Sequence, residues 1–508
     1  MRHYLRQPIT WLFVLAAMLL IAHALWYGSL TGFDAVDDAY ISFRYAYNAA
    51  RGYGLTFNIG ERRVEGYTNF LWTVMLIPFF WLKLPIHIVS LVLGVAWSLG
   101  CITLLGLFST RFLQESRMGA WAALLLAADG SFALWSVGGL EGPLFAFLIM
   151  AGAISYVCEM KNPRRVPLSG AWFALAAMTR PEGVLVYALT GVHQVLTRLF
   201  DERRIATPQD WQRLGLFGLV WVPWFAFRWR YYGFPLPNTF YAKVTLGDTT
   251  AQRLRGQAYL LTFVRLHLGW ILPLIALLPL LRRRWRGWSS YFVLLVVVYS
   301  LYIAYVGGDW SVGRFFVPLM PFFYTLLAGG LTVIGDRVWH IASAHRRVPV
   351  GLQTALSIIF MCALLGGLFW QSSLKGEKAL FIDPFDARLA GRARTTLGKW
   401  MREHLPPDTY IAVDAAGQMP FYSDLRALDL YGLNDLVIAH SEVTQMGAGT
   451  PGHEKMNMDY VIFVAQPDYI IIYGTAFDWL EAFSYRRVDL PWTDDPALKQ
   501  FLGIYERQ

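Results

Sequence analysis

The first apolar run of the chain reads TWLFVLAAMLLIAHALWYGSL over residues 10–30. A helix rises about 1.5 Å per residue, so about 20 apolar residues are enough to cross the hydrocarbon core of a bilayer. Arg2, His3 and Arg6 precede the run, and no small-residue cleavage site is obvious before Phe33. We therefore predict a membrane anchor here, not a removed signal peptide.

Similar runs recur along most of the chain, which is 56% hydrophobic, 16% charged and 508 residues long. That composition is too apolar for a soluble enzyme of this length. The sequence predicts a polytopic α-helical membrane protein with about 11 transmembrane helices. The later runs lie near residues 87–110, 119–136, 141–158, 168–180, 183–200, 213–231, 258–281, 289–306, 315–335 and 350–371.

The formal net charge of +9 comes from short basic clusters between these runs. If the runs alternate, all the clusters fall on one side, which the positive-inside rule makes the cytoplasm. Nucleic-acid binding is therefore not indicated. We predict a multi-pass protein of the bacterial cytoplasmic (inner) membrane with a cytoplasmic N-terminus. The clusters are Arg2 and Arg6; Arg111 and Arg117; Lys161, Arg164 and Arg165; Arg198, Arg203 and Arg204; Arg282, Arg283, Arg284 and Arg286; and Arg337, Arg346 and Arg347.

Two further segments complete the predicted organisation. Residues 70–84 are too short to span, so we predict a half-embedded or interfacial helix on the outer side. Residues 372–508 change character, with an amphipathic helix near 395–405 and strands at 410–413 and 469–473. We predict a transmembrane domain at 1–371, with its first outer loop at 31–86, and a small extracytoplasmic (periplasmic) α/β domain at 372–508.

Under this topology the conspicuous polar residues gather on the outer side. Ionisable groups near hydrocarbon are costly unless they are paired or face a wet cavity, so a one-sided set indicates a functional cavity. The candidates are Asp37, Asp38, Arg44, Glu65, Tyr67, Glu141, Arg180, Glu182, Asn238, Lys243, Asp309 and Arg314.

Asp37 and Asp38 are adjacent, so their side chains point in different directions and at most one is expected to face a reacting group. A carboxylate beside an apolar surface can act as a general base toward a hydroxyl. The alternative is a pair of residues that cap the helix beginning near Ala39. Asp309 could share a divalent ion with them, but the spacing is not diagnostic of a metal site, and no cofactor is indicated.

The cations Arg44, Arg180, Lys243 and Arg314 are candidates for binding the phosphate of a lipid-linked substrate. Interfacial anchoring by snorkelling is the alternative. Arg180 with Glu182, and Asp309 with Arg314, could instead form structural ion pairs.

The remaining conspicuous residues receive structural interpretations. Asp414, which follows a predicted strand, is expected to cap an element or stabilise a turn. Neither the scattered histidines His267, His404, His440 and His453 nor the cysteines Cys101, Cys158 and Cys362 have the spacing of a metal site. Interfacial anchoring is the interpretation for Trp72, Trp81, Trp135, Trp310 and Trp370.

An ordered set of short motifs on the outer side resembles the bacterial GT-C glycosyltransferases close to the mycobacterial terminal arabinofuranosyltransferases. The set departs from that group at Asn69-Phe70, where serine-proline is frequent, and at Gly142, where threonine is common. The motifs are residues 37–46, 52–58, 64–69, 139–141, 179–183, 237–243 and 307–310, with weaker likeness at 405–408 and Asp414.

The resemblance implies a polyprenyl-phosphate sugar donor, an active site at the outer membrane surface and a first-loop aspartate as catalytic carboxylate. The expected reaction transfers a sugar, plausibly arabinofuranose, to a cell-envelope glycan, lipid or protein acceptor. Asp38 or Asp37 would be catalytic, and Arg44, Arg180, Lys243 and Arg314 would hold the donor phosphate. Sugar or acceptor contacts are expected from Glu65, Tyr67, Glu141, Glu182, Asn238 and Asp309.

Two other classes of function remain open from the residues themselves. A transporter or flippase of a lipid-linked or polar solute would place its binding site near the midplane, and the one-sided polar set favours the enzyme. A non-catalytic envelope or motility assembly protein would leave the carboxylates inert.

Overall fold

The computed structural model describes residues 8–162, 164–201, 206–245, 247–267, 269–311, 313–345, 349–374, 384–443, 446–474 and 477–508. Arg2, His3, Arg6, Arg203, Arg204, Arg346 and Arg347, which entered the orientation argument, lie outside these residues.

Helices dominate the chain up to residue 374. The first eight are α1 (Pro8–Thr31), α2 (Asp37–Ala50), α3 (Phe70–Trp81), α4 (Ile86–Leu107), α5 (Ser116–Ala128), α6 (Gly130–Ser136), α7 (Gly142–Lys161) and α8 (Ser169–Thr179). The next eight are α9 (Glu182–Asp201), α10 (Pro208–Tyr232), α11 (Asn238–Lys243), α12 (Thr250–Leu266), α13 (Ile271–Ile275), α14 (Arg286–Tyr305), α15 (Met320–His345) and α16 (Val350–Phe369).

Each predicted apolar run coincides with one or two of these helices. Within the described ranges, six helical stretches are long and apolar enough to cross a bilayer, or up to eight if each of two bent pairs forms one span. Helix α8 has only 11 residues, and α10 carries Arg213, Arg228 and Arg230. The count of about 11 spans and the sidedness therefore stay predictions. The six stretches are Ile9–Thr31, Ile86–Leu113, Gly142–Lys161, Arg283–Tyr305, Arg314–Ile341 and Gly351–Ser373.

A sharp bend separates α5 from α6, whose axes differ in direction by 69°. Asp129 occupies the bend and caps α6, where its Oδ1 accepts a hydrogen bond from Phe132 N at 2.8 Å. Its Oδ2 accepts from Tyr324 Oη at 2.5 Å and lies 2.8 Å from His267 Nε2. The bend is therefore fixed by α12 and α15, and α6 leads toward the Gly138–Glu141 loop.

The C-terminal region forms a five-stranded sheet in the order β2-β1-β3-β5-β4. Strands β1, β2 and β3 are parallel, and β5 pairs antiparallel with β3 and β4. These elements are the helices α17 (Pro384–His404), α18 (Gln418–Ser423), α19 (Leu436–Ala439) and α20 (Pro496–Lys499), and the strands β1 (Tyr410–Val413), β2 (Arg426–Asp429), β3 (Tyr469–Tyr473), β4 (Tyr485–Arg487) and β5 (Leu502–Arg507).

Alternation along the parallel strands gives the sheet two apolar faces, as expected for strands covered on both sides. Ile411, Val413 and Ile471 pack in one buried cluster with residues of α17, whereas Ala412 and Ile470 belong to the other. The first cluster also contains residues of α2. Helix α2 therefore joins the sheet domain to the membrane helices.

Candidate active site

A cavity of about 480 Å³ lies where the membrane helices meet the sheet domain. One wall comes from the segment between α1 and α2, from Asp37 and Asp38 at the start of α2, and from Trp135 and Trp310. The facing wall lies at the carboxyl ends of the parallel strands, the edge at which α/β sheets commonly bind ligands. That wall includes Asp414, Asp429, Tyr431, His453 and Tyr473.

The Asp37 carboxylate binds the sheet domain. Its two oxygens accept hydrogen bonds from Gly417 N at 3.1 Å and from Gln418 N at 2.9 Å, at the start of α18. A Cβ on residue 417 would collide with the Asp37 backbone, so glycine permits this approach. Burial raises the pKa of Asp37, against the charge of Arg394 and the two backbone hydrogen bonds. The capping interpretation thus describes the contacts of Asp37, although the capped helix is α18.

Asp38 faces the opposite way and keeps 32% of its side chain exposed. Its Oδ2 accepts a hydrogen bond from Arg314 Nη1 at 2.9 Å. Partial burial raises the pKa of Asp38, but the charges of Arg314, His453 and Lys243 outweigh burial and hold that pKa below its usual range. Asp38 is therefore an ionised carboxylate open to the cavity.

Arg314 connects Asp38 to two other features of the site. Its Nη1 lies 3.5 Å from Asp309 Oδ2, and its guanidinium lies 5.4 Å from the Trp135 ring centroid and 5.9 Å from that of Trp310. Burial raises the pKa of Asp309, against the charges of Arg314 and Lys243. The aromatic rings and two carboxylates therefore hold one arginine in place.

A second ion-pair group forms around Arg180. Arg180 donates to Glu141 Oε1 at 2.8 Å and to Glu182 Oε1 at 3.1 Å, and Glu141 also accepts from Asn69 Nδ2 at 2.8 Å. Both ion pairs anticipated from the sequence, Arg180 with Glu182 and Asp309 with Arg314, are present. The exposed Lys243 lies close enough for its charge to act on Asp38 and Asp309.

Arg44 lies outside the cavity wall, and each of its three guanidinium nitrogens donates to a protein oxygen. It donates to the carbonyl oxygens of Phe57, Pro420 and Leu425 and to Asn58 Oδ1. The structure therefore does not support the expected phosphate contact at Arg44, because its donors already bind the loop after α2 and the sheet domain.

Three of the predicted sugar contacts also make protein contacts away from the cavity wall. Glu65 forms an ion pair with Arg228 at 2.9 Å, and Tyr67 hydrogen-bonds Tyr232 between their hydroxyls at 3.0 Å. Asn238 donates to the carbonyl oxygens of residues 432, 433 and 435. Glu65 and Tyr67 therefore bind α10, and Asn238 binds the sheet domain.

The interpretation of the tryptophans needs correction. Trp72 and Trp135 are buried, which excludes an interfacial belt for them, whereas Trp81 and Trp370 are exposed. Trp135 and Trp310 make an edge-to-face contact at 6.2 Å and line the cavity. Their positions beside the 139–141 and 307–310 motifs were the signal that could have identified them.

The tail contributes cavity residues that sequence reasoning missed. Arg388, Arg392 and Arg394 of α17 line the cavity, as do Tyr431 and His453. Asp414 does so too, while its Oδ2 accepts from Tyr473 N at 2.7 Å, a contact between the ends of β1 and β3 and not the predicted local turn. No local pattern distinguishes these positions, since they come from separate loops.

Asp37, Asp38 and Asp309 do not converge on one point in the structure. Within the described parts of the chain, no group of three or more His, Cys, Asp or Glu side chains has the geometry of a metal site.

Comparison with known proteins gives one sequence relative and several structural ones. The chain is 30% identical over 286 residues to the Terminal beta-(1->2)-arabinofuranosyltransferase of Mycobacterium tuberculosis, which covers 53% of this chain and 43% of the relative. The matched region is thus under half of the relative's length. Residues 386–503 match a family described as Domain of unknown function (DUF8728).

The structural relatives extend over nearly the whole chain. ArnT from Cupriavidus metallidurans bound to undecaprenyl phosphate superposes with a TM-score of 0.61 at 13% identity, covering 98% of both chains. The apo oligosaccharyltransferase of Archaeoglobus fulgidus superposes with a TM-score of 0.54 at 12% identity, covering 92% of this chain and 70% of that one. At such identities the likeness shows the fold. Together with the sequence relative, it confirms that this chain has the GT-C glycosyltransferase fold and resembles the arabinofuranosyltransferases.

Proposed function

We propose that this protein is a membrane glycosyltransferase that moves a sugar from a polyprenyl-phosphate donor to an acceptor hydroxyl. The observation that carries the proposal is the Asp38 carboxylate, which pairs with Arg314 and lines a cavity between the membrane helices and the sheet domain. A negative charge fixed in such a cavity stabilises an oxocarbenium-like transition state because it needs no reorganisation. Asp38 is the catalytic carboxylate of this proposal, and Asp37 positions α18.

The leaving group of the reaction is a phosphate monoester. It departs as a stable anion, so it requires positive charge near its oxygens more than a proton. Lys243, Arg180 and Arg314 are the proposed cations, although each arginine is already paired with two carboxylates. The undecaprenyl phosphate bound by the structurally similar ArnT supports this class of donor.

Arabinofuranose is the proposed sugar, and the named activity of the mycobacterial relative supports it. The proposed acceptor is a cell-envelope glycan, lipid or protein on the outer side of the cytoplasmic membrane. The one-sided distribution of basic loops supports that sidedness. Glu141 and Glu182 pair with Arg180, Asp309 pairs with Arg314, and these carboxylates are proposed to set the charge balance around sugar and acceptor.

The test is transfer of labelled sugar by the full-length protein in nanodiscs. The donors are synthetic polyprenyl-phosphate arabinofuranose and polyprenyl-phosphate hexoses, and the variants are Asp38→Asn and Asp37→Asn. We expect Asp38→Asn to lower turnover by about 100-fold or more, with an unchanged Tm, because it removes a charge that acts in the transition state. Asp37→Asn should lower the Tm but should retain more turnover than Asp38→Asn.

Two results would contradict the proposal. Full turnover by Asp38→Asn would remove the catalytic carboxylate. No turnover of any polyprenyl-phosphate sugar by folded wild-type protein would favour a transporter or an assembly protein.

A further inference from the structure

A loop of the sheet domain, residues 446–455, lies against the membrane part close to Asp38. Met446 N donates to Asp248 O at 3.1 Å. Glu454 Oε1 accepts from Arg255 Nη1 at 2.7 Å and from Gly447 N at 2.6 Å. These contacts fix both ends of the loop on or beside α12.

His453 belongs to this loop and lines the same cavity as Asp38. Its ring is perpendicular to that of Tyr431, with the centroids 4.6 Å apart, and the positive charge of its protonated form acts on Asp38. A Cβ on the neighbouring Gly452 would lie 3.3 Å from Lys243 Cε. The loop therefore brings an imidazole to the carboxylate and cation that the proposed reaction uses.

The hydrogen bond of the His453 ring determines which nitrogen is basic. Nδ1 lies 3.1 Å from the Pro451 carbonyl oxygen. A carbonyl oxygen only accepts, so Nδ1 carries the proton and, in the neutral ring, Nε2 carries the lone pair.

The reaction needs a base for the acceptor proton. Arg314 Nη1 donates to Asp38 Oδ2 at 2.9 Å. Its charge helps to hold the pKa of Asp38 low against the effect of burial, which makes the carboxylate a weak proton acceptor. Histidine is the side chain that most often performs general base catalysis.

We propose that Nε2 of His453 is the general base that deprotonates the acceptor hydroxyl, while Asp38 stabilises positive charge on the sugar. The inference rests on the proposed function. The acceptor O–H bond breaks and its proton moves to Nε2. The oxygen forms a bond to the anomeric carbon, and the bond from that carbon to the phosphate oxygen breaks with its electron pair. Polyprenyl phosphate leaves, and the imidazolium returns its proton to the phosphate or to solvent.

The experiment compares His453→Ala with His440→Ala in full-length protein in nanodiscs. His440 is a matched control because its Nδ1 also contacts a carbonyl oxygen, that of Leu436 at 2.8 Å, while its ring stacks on Tyr241 and not on the cavity wall. We expect His453→Ala to lower sugar transfer by about 100-fold, the usual contribution of a general base. His440→Ala should transfer at the wild-type rate.

Azide separates a base from a structural residue, because it attacks the anomeric carbon without a proton to lose. Added azide should restore donor consumption by His453→Ala and yield the glycosyl azide, while polyprenyl phosphate binding stays as in the wild type. Wild-type transfer by His453→Ala, or a loss that azide does not restore, would overturn the inference. Failure of the proposed function itself would be distinct, because the wild-type protein would then transfer no sugar.

Discussion

Asp37 and Asp38 are chemically identical neighbours with opposite surroundings. Two backbone N–H groups of the sheet domain occupy Asp37, whereas a guanidinium and open space face Asp38. A carboxylate that caps a helix stabilises the folded protein through its hydrogen bonds to the helix. A carboxylate that keeps free lone pairs can bind a ligand. The difference arises because successive side chains on a helix point in different directions.

After Asp38, Arg314 is the residue whose substitution should lower the rate of sugar transfer most. Arg314→Gln removes the positive charge nearest to Asp38, so the pKa of Asp38 should rise. The negative charges of Asp38 and Asp309 would then be less well neutralised. We expect a turnover about 100-fold lower than that of wild type. Arg314→Lys keeps the charge and should recover part of the loss. The measurement is sugar transfer at saturating donor, and equal turnover for all three proteins would contradict this role.

At the element scale, α18 depends on a glycine that lets Asp37 approach it. Gly417→Ala places a Cβ against the Asp37 backbone. It should cost about 2 kcal/mol by displacing the two hydrogen bonds to the carboxylate. The measurement is the Tm of the purified protein, which should fall by several degrees.

Gly191→Ala is the matched control. A Cβ at this helical position in α9 meets nothing within 4 Å, and alanine favours helix more than glycine. Its Tm should equal or exceed that of wild type. A Gly417→Ala protein as stable as this control would argue against the close approach.

The bend between α5 and α6 depends on Asp129. Asp129→Ala leaves buried partners at Phe132 N, Tyr324 Oη and His267 unpaired, which should destabilise the protein by about 3 kcal/mol. Tyr324→Phe removes one of these hydrogen bonds and should cost about 1 kcal/mol. Thermal unfolding measures both. Because α6 carries Trp135, Asp129→Ala should also weaken donor binding, and a stability loss no larger than that of Tyr324→Phe would contradict the capping role.

At the scale of the whole molecule, the cavity exists because the sheet domain is fixed on the membrane helices. Arg44 contributes by donating to carbonyl oxygens of Pro420 and Leu425, 376 and 381 residues away in sequence. Arg44→Lys cannot reproduce several hydrogen bonds from one planar group. We expect a loss of about 3 kcal/mol and faster proteolysis between the two parts of the chain.

Arg51 provides the comparison, since it lies on the C-terminal side of the same helix and also binds the sheet domain. It pairs with Asp424 at 2.8 Å, and about a third of its side chain is exposed, 32%. Arg51→Lys should change stability by less than about 1 kcal/mol, as is usual for exposed ion pairs. Equal effects of the two substitutions on the Tm and the proteolysis rate would mean that Arg44 is not a principal interdomain contact.

Local pattern was sufficient for much of the architecture. The long apolar runs predicted the membrane helices, and the short apolar runs Tyr410–Val413 and Tyr469–Tyr473 predicted two strands at the bounds observed. The number of membrane spans was harder to predict, because Arg213 and Arg228 of α10 are buried against polar partners from other parts of the chain. Hydropathy records composition along the chain and not those partners.

The sequence by itself determined the membrane class, the C-terminal sheet domain and a set of polar residues that includes Asp38, because apolar length, periodicity and motif order are local properties. Only the tertiary structure decided which members of that set share a cavity. Arg44 and Arg314 look alike in sequence, yet one binds carbonyl oxygens and the other binds Asp38. His453 had no local signal at all. Its place beside Asp38 depends on a loop contact with α12, and contacts between segments distant along the chain are fixed only when the packing and charge of the whole fold are in place.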